Sequence, residues 1–345
     1  MKRSSKVSEF KADMPELQIV DDPERVEAAF RDADQRDFPD WNSHPLSGQF
    51  SRNLYAAINR EKPRHKLCAF CVVDGDKPVL MVPATYRGGT VSMFGLPMAL
   101  AAQRGLGAKR RKRVFAMAFE HLAAVDLVAS PDVALINGCF GSNPQTAADL
   151  ACIDRLAAPQ SHIHAVIDTT QGEKAVHRDV RASYRSLINW GRTQLQMRYV
   201  NAKNPDRALF DQMPAFHTHI SGAGAHGNEY WEVYWNEIVA GRGEASLGFL
   251  DDGTLAAGTA VIDAGGVSYY ASGVYDREKF DKPLAHYPVY DSILRAGQRG
   301  AILYDLGEVF PADTTDDKEV QIGFFKKGFT GAFRLRTSWS VPLSS

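Results

Sequence analysis

Nowhere in this chain do eighteen uncharged apolar residues follow one another, and the opening MKRSSKVSEFKADMPELQIV has basic residues with no apolar run behind them. That pattern argues against a helical membrane span and a secretory leader, so a cytosolic protein is expected. Charge of one sign is also missing: 40 Lys and Arg stand against 41 Asp and Glu, for a formal charge of -1. A surface that grips nucleic acid along its whole length is excluded, and any RNA contact must be local. Cysteine is scarce. Of Cys68, Cys71, Cys139 and Cys152 the first two form a CxxC, but LCAFCVVDGDKPVLMV reads as two strands around a turn at Asp74-Gly75-Asp76, so residues three apart face opposite ways. Buried apolar cysteines are expected there, not a metal or redox pair. The ten histidines lack metal-site spacing, and His162 and His164 sit on a strand with no cysteine or carboxylate pair beside them. No bound metal is expected. Patterns of the Ser-His-Asp or Cys-His kind are wanting as well.

What is present is an ordinary globular composition, 44% hydrophobic and 23% charged, in 345 residues, which is longer than one hydrophobic core usually serves. The first half alternates the amphipathic helices PERVEAAFRDADQ and SRNLYAAINRE with the hairpin KLCAFCVVDGDKPVLMVPATYR, the long helix GAKRRKRVFAMAFEHLAAV, the buried strand VALINGCF, the helix QTAADLACIDRLAA and the strand SHIHAVIDTT. The second half repeats the plan. EKAVHRDVRASYRSLINWGRTQLQMRYVN is helical and then extended, and DRALFDQMPAFHTHI and NEYWEVYWNEIVA are helices. Three strands with turns at Asp251-Asp252-Gly253 and Ala264-Gly265-Gly266 follow, then the helix YPVYDSILRAGQRG and the buried strand AILYDLG. A Pro/Asp-rich loop leads into IGFFKKGFTG and FRLRTSWSV. The reading predicts an α/β fold with an internal duplication: a mixed sheet flanked by helices in residues 1–170, another in 171–345, and a junction near 168–176.

IGFFKKGFTG, residues 322–331, sets two adjacent lysines among rings and glycines. Read as a strand, it turns one lysine into a groove and the other outward. A lysine beside a ring such as Phe325 in a partly dry groove acts at low dielectric on a phosphate, a ribose oxygen or a developing oxyanion; the alternative for Lys326 and Lys327 is a pair of solvated charges. Asp305 ends a buried strand and Glu308 follows a glycine, where polar groups meet a cleft in α/β folds. Either can accept a proton, or Asp305 caps a turn or orients Lys326. Alternation along SYYASGVYD puts Tyr269 and Tyr275 on one face and Tyr270 on the other, one core and one cleft. Arg181 and Arg185, four apart on a helix, can hold a phosphate or form a solvated face. His286-Tyr287, ahead of a helix, is a further site candidate. Gln103-Arg104-Gly105-Leu106-Gly107-Ala108 is one residue short of a phosphate-binding loop, with Lys109 where a small residue is needed, and reads as a plain loop. The run Lys109–Arg113 opposes the helix dipole unless an anion is near; it is a solvated basic face or a contact for RNA or a phosphorylated substrate.

Four stretches in order, RASYRSLINWG (181–191), SYYASGVYD (268–276), ILRAGQRGAILYDLGEV (293–309) and FFKKGFTGAFR (324–334), resemble the FemABX group of GNAT-like transferases, which build peptide bonds onto cell-wall precursors and related amines. The specific elements are Tyr304-Asp305-Leu306-Gly307 and Phe325-Lys326-Lys327-Gly328-Phe329, with Thr330-Gly331 where the group often has Gly-Gly. The resemblance covers roughly residues 170–340 and reaches the first half by length and order of elements. It implies tandem GNAT-like lobes, the first degenerate. It also implies transfer of an aminoacyl or acyl group to the amine of a phosphorylated or nucleotide-linked acceptor, in cell-wall or surface-glycan assembly. The donor is aminoacyl-tRNA or acyl-coenzyme A used as a co-substrate, with no tightly bound cofactor. The long helical hairpin that some members use as a tRNA arm is lacking. Lys326, Asp305 and Glu308 are the expected catalytic residues; Arg181, Arg185, Tyr270, His286, Tyr287 and Phe325 are the expected substrate contacts. Such amide formation needs a deprotonated amine, an activated acyl group beside it and positive charge near the developing oxyanion, but no nucleophile. Two rivals stand: an acyl-coenzyme A dependent N-acyltransferase, and a non-catalytic member that binds a nucleotide sugar or a partner protein.

Overall fold

A computed structural model describes residues 16–125, 131–140, 146–222, 226–279, 281–310 and 316–343. The basic start of the chain up to residue 15 and the Pro/Asp-rich loop at 311–315 lie outside the described residues. In the first half the strands are β1 (Leu17–Val20), β2 (Lys66–Leu67), β3 (Phe70–Asp74), β4 (Lys77–Val82), β5 (Thr85–Arg87), β6 (Thr90–Ser92), β7 (Ala101–Ala102), β8 (Val133–Phe140) and β9 (Ala158–Asp168). The helices there are α1 (Pro23–Asp32), α2 (Gln49–Glu61), α3 (Ala108–Ala124) and α4 (Ala147–Asp154). The second half runs α5 (Glu173–Asp179), α6 (Ala182–Gln194), β10 (Gln196–Val200), α7 (Arg207–Phe210), α8 (Gln212–Ser221), α9 (Asn228–Val239), β11 (Gly243–Phe249), β12 (Leu255–Ala264), β13 (Val267–Tyr275), α10 (His286–Gln298), β14 (Leu303–Glu308), α11 (Asp317–Lys326) and β15 (Phe333–Pro342).

Sequence chemistry sets these limits. Asp22 caps α1 by accepting from the Arg25 N–H, with Pro23 in the first turn, and Thr146 and Asp149 close a reciprocal capping box on α4. Each half contains a hairpin followed by a helix and a strand that returns parallel: β5–β6, α3 and β8 in the first, β12–β13, α10 and β14 in the second. The last strand of each half then crosses over. β9 pairs antiparallel with β14 of the second half, and β15 with β8 of the first, while β9 and β15 pair with each other. Among the described residues this exchange produces one eleven-stranded sheet, in the order β10-β11-β12-β13-β14-β9-β15-β8-β6-β5-β2, beside a four-stranded sheet β1-β3-β4-β7. The architecture is α/β, with mixed sheets flanked by helices.

Among the described residues, the three largest apolar clusters follow the layers. Phe115, Phe119 and Leu122 of α3 pack on β4 and β8; Phe210, Trp231 and Tyr234 pack on β11 and β12; Ile188 of α6 and Ile293 of α10 pack on Ala165, Ile167 and Tyr304. Phe50 and Leu54 of α2 sit in the second of these cores, so a first-half helix is built into the second half. The loop carrying Ser43 and His44 also crosses over. It rests on the β12–β13 turn, where a Cβ at Gly265 (φ +59°) would overlap the Ser43 carbonyl. Glycine is required there both for the left-handed backbone and for the close approach.

IGFFKKGFTG departs from its expected extended form. Asp316 accepts from the N–H groups of Lys318 and Glu319, starting α11, which carries Phe325 and Lys326 to its last turn, and Lys327 becomes the exposed C-cap. A favourable cap and the contact of Gly323 with Val309 outweigh the strand preference of the phenylalanines. Along β13 the alternation also breaks. The register with β12 skips Ala271, a β-bulge, so Tyr270 and Tyr275 share a side, their hydroxyls 2.9 Å apart, rather than facing opposite ways.

Candidate active site

β13 and β14 are parallel and pair over only three positions, Val267–Tyr269 with Leu303–Asp305. Beyond them the strands splay. The opening holds a cavity of about 600 Å³ lined by Tyr269, Tyr270, Tyr275, Leu306, Phe325 and Lys326. Pairing across the sheet puts Tyr269, Asp305, Glu308, His164, His162 and Arg336 on one face, because directly paired residues share a side.

Asp305 is the hub of that face. Fully buried, its Oδ2 meets His44 Nε2 at 2.9 Å and His164 Nδ1 at 2.8 Å, and its Oδ1 accepts from the Gly307 N–H at 2.6 Å. Burial alone would raise its pKa, but the hydrogen bonds from His164 and His44 outweigh it and hold the carboxyl below the usual carboxylate range. His44 Nδ1 accepts from the Leu46 N–H at 3.0 Å, so in the neutral ring Nε2 is the donor to Asp305. Burial lowers the His44 pKa and Asp305 only partly opposes it, which favours that neutral ring. Three hydrogen bonds and a lowered pKa thus tie Asp305 to its neighbours as a buried carboxylate.

Lys326 is close enough to feel the charges of both Asp305 and Glu308. Its ammonium donates to the Glu308 carbonyl at 2.9 Å, and burial lowers its pKa against the pull of Asp305 and Glu308. Gly307 (φ +86°) makes the approach possible: a Cβ there would stand 3.1 Å from Lys326 Nζ and 3.5 Å from the Tyr269 hydroxyl. The Glu308 carboxylate meets His162 Nδ1 at 3.0 Å, and His162 Nε2 meets Ser338 Oγ at 3.0 Å. Unlike Asp305, Glu308 keeps about a third of its side chain exposed. Arg336 Nε donates to Asn137 at 3.0 Å, and burial lowers its pKa while Tyr269 and Asp305 oppose. On the far side of His44 and Arg336 lies a second cavity, about 560 Å³, lined also by Ser43, Asn137, Arg334 and Asp40. Burial, followed by the charge of Asp149, pushes Asp40 up to about 6.

Of the residues singled out in the sequence, Lys326, Asp305 and Glu308 come together, and Tyr270 and Phe325 line the same cleft. The His286 ring packs behind Phe325, between it (5.4 Å) and Tyr184 (4.5 Å); its Nδ1 is buried without a partner, and burial lowers its pKa. Tyr287 instead packs against Gly191 of α6. Arg181 and Arg185 take different protein partners. Arg181 lies over the Phe324 ring at 4.2 Å, while Arg185 donates to the carbonyls of Val180 (3.2 Å) and Arg178 (2.7 Å), closing the end of α5. Arg110 and Lys112 of the basic run pair with Asp74 and Asp154. Arg104 is tied to the Asp37 and Arg36 carbonyls at 2.6 and 2.8 Å. Burial pushes the Cys68 and Cys71 thiols up to about 11, so neither is a ready thiolate. His44, His164, Tyr269 and Arg336 were not legible as site residues. His44 is 261 positions from Asp305, and no local pattern marks such a pair.

No protein-family model matches the chain, and no curated protein does. Solved structures match it in fold. FemX is 12% identical over 86% of this chain and 93% of that one, with a TM-score of 0.58. L-PGS from Bacillus licheniformis is 12% identical over 92% and 91%, with a TM-score of 0.55. The C-terminal domain of a putative lysylphosphatidylglycerol synthetase from Agrobacterium fabrum is 11% identical over 85% and 92%, with a TM-score of 0.51. The chain therefore shares the fold of FemX and of L-PGS. Among the described residues, no helix is long and apolar enough to cross a membrane.

Proposed function

We propose that this protein is an acyltransferase that moves an aminoacyl or acyl group onto the amine of a phosphorylated or nucleotide-linked acceptor, forming an amide in cell-wall or surface-glycan assembly. The observation that carries this is that the Lys326 ammonium and the Tyr269 hydroxyl, both near Gly307 in the lining of the cleft between β13 and β14, lie beside Glu308, whose carbonyl accepts from Lys326 and whose carboxylate pairs with His162. In this reading the donor's acyl end enters the cleft and the amine attacks its carbonyl carbon. As the C–N bond forms, the oxygen gains charge beside Lys326, in surroundings that screen little. The amine's proton passes to the Glu308–His162 pair, since Asp305 is fully buried and its hydrogen bonds hold its pKa low, whereas the Glu308 carboxylate is partly exposed. The C–O or C–S bond to the carrier then breaks, and the leaving group takes up a proton.

The donor is aminoacyl-tRNA or acyl-coenzyme A. A thermal-shift screen with coenzyme A, uncharged tRNA and UDP-sugars distinguishes them, since a ligand at 100 times its Kd adds about 2.7 kcal/mol. A shift with one carrier names the donor, and a shift with UDP-sugars supports a nucleotide-linked acceptor. No shift with any of the three counts against the reading. A ligand-induced shift with no amide product under any pairing favours a binding protein instead.

A further inference from the structure

Beside the cleft lies a smaller cavity, about 140 Å³, walled by Leu54, Tyr55 and Ile58 of α2 and by Tyr230 and Tyr234 of α9. It meets the cleft at Tyr269 and Ala271, which line both. Ala271 is the residue skipped by the β13 bulge, and its carbonyl accepts from the Tyr234 hydroxyl at 3.3 Å. The chamber thus shares a wall, Tyr269 and Ala271, with the cleft that Lys326 lines.

Its lining contains no Asp, Glu, Lys or Arg. The Tyr234 hydroxyl is spent on Tyr230 (3.1 Å) and on Ala271, and burial pushes the Tyr230 phenol up to about 12 and Tyr234 up as well, so both stay neutral. His226 stacks on Tyr230 at 3.9 Å and burial lowers its pKa. A charged group entering would lose its hydration with no opposite charge to receive it. An apolar group would not, and an apolar cavity of roughly 150 Å³ is known to take up benzene.

We infer that this chamber is the side-chain pocket of the transferred acyl group, and that it takes an uncharged apolar side chain no larger than a phenyl ring. The inference rests on the transferase reading for its role but not for its ligand chemistry. The contact with α2 gives the pocket a physical consequence. Selection of the acyl group is shared between a first-half helix, α2, and second-half elements, whereas Lys326 and the cleft belong to the second half alone.

The test uses carrier-free amides that mimic the acyl end: isovaleramide, phenylacetamide, acetamide and 4-aminobutanamide, with affinity read by ligand-observed NMR on the full chain. Isovaleramide and phenylacetamide should bind measurably more tightly than acetamide, and the cationic 4-aminobutanamide should not bind. Leu54→Phe, which fills the chamber, should weaken isovaleramide at least tenfold, the scale of hydrophobic side-chain discrimination. Ile58→Phe at the rim, in a partly exposed position, serves the same purpose should Leu54→Phe fail to fold. The inference is overturned if neither amide binds the parent, if 4-aminobutanamide binds as well as isovaleramide, or if a folded filling variant binds isovaleramide unchanged. The carrier screen bears only on the transferase reading, so the two can fail separately.

Discussion

Replacing Asp305 with Asn keeps the shape of the hub and reverses part of its hydrogen bonding. Oδ1 accepts from the Gly307 N–H while Oδ2 faces His44 Nε2, fixed as a donor by the Leu46 N–H, and His164 Nδ1. An amide has one accepting oxygen. If the oxygen faces the histidines, the NH2 meets the Gly307 N–H; if it faces Gly307, the NH2 meets the His44 donor. Either way a buried donor is orphaned, at about 1–3 kcal/mol, and charge-assisted bonds are lost besides, so a total near 3 kcal/mol is expected. At about 2 °C per kcal/mol for a chain this long, Tm should fall by about 6 °C in calorimetry at pH 7. Because the Asp305 pKa is lowered on folding, the gap between parent and variant is full above about pH 3.9 and closes as pH falls through the folded value. Since His44 is anchored by this carboxylate, amide exchange in the 43–48 loop should also accelerate. A variant within 1 kcal/mol of the parent, with unchanged exchange there, would refute the hub.

Two further outcomes follow from the same contacts. His44 is buried with a lowered pKa, so the unfolded chain binds a proton near pH 6.5 that the folded chain refuses, and stability falls as pH drops below that value. His44→Gln should reduce the proton uptake on unfolding by about half a proton at pH 6.5, rising towards about 0.9 at pH 5.5, or about 0.7 to 1.2 kcal/mol per pH unit; unchanged uptake contradicts a neutral His44. Gly265 and Gly75 share φ of +59°, but only Gly265 meets the Ser43 backbone, with open space around Gly75. Gly75→Ala should cost about 1 kcal/mol of left-handed strain and Gly265→Ala at least 1 kcal/mol more in denaturant titrations. Equal costs would show that the crossing loop yields freely.

Strands and helices with clean periodicity were legible: VALINGCF is β8, and the helix over GAKRRKRVFAMAFEHLAAV is α3. The strand exchange was not, since β15 carries no mark of its partner and pairing with β8 is decided only after both halves exist. Lys326, Asp305 and Glu308 could be named because two short motifs carry them, although the rings and glycines of IGFFKKGFTG mask the helix that the Asp316 cap starts. The bulge at Ala271 left no local signature, so the faces of Tyr270 and Tyr275 were misassigned. His44 and Arg336 reach the hub from distant loops and strands, and only tertiary packing brings them there.

The most direct test of the central claim is single-turnover amide formation, followed by mass spectrometry with the donor identified in the carrier screen, in the parent and in Lys326→Met and Lys327→Met. If the Lys326 ammonium stabilises the developing oxyanion, Lys326→Met should lose about a hundredfold or more while melting within a few degrees of the parent, because Met retains the apolar stem and removes a buried charge. Lys327 is exposed at the end of α11, and its replacement should cost less than tenfold. Full turnover by Lys326→Met would contradict the account.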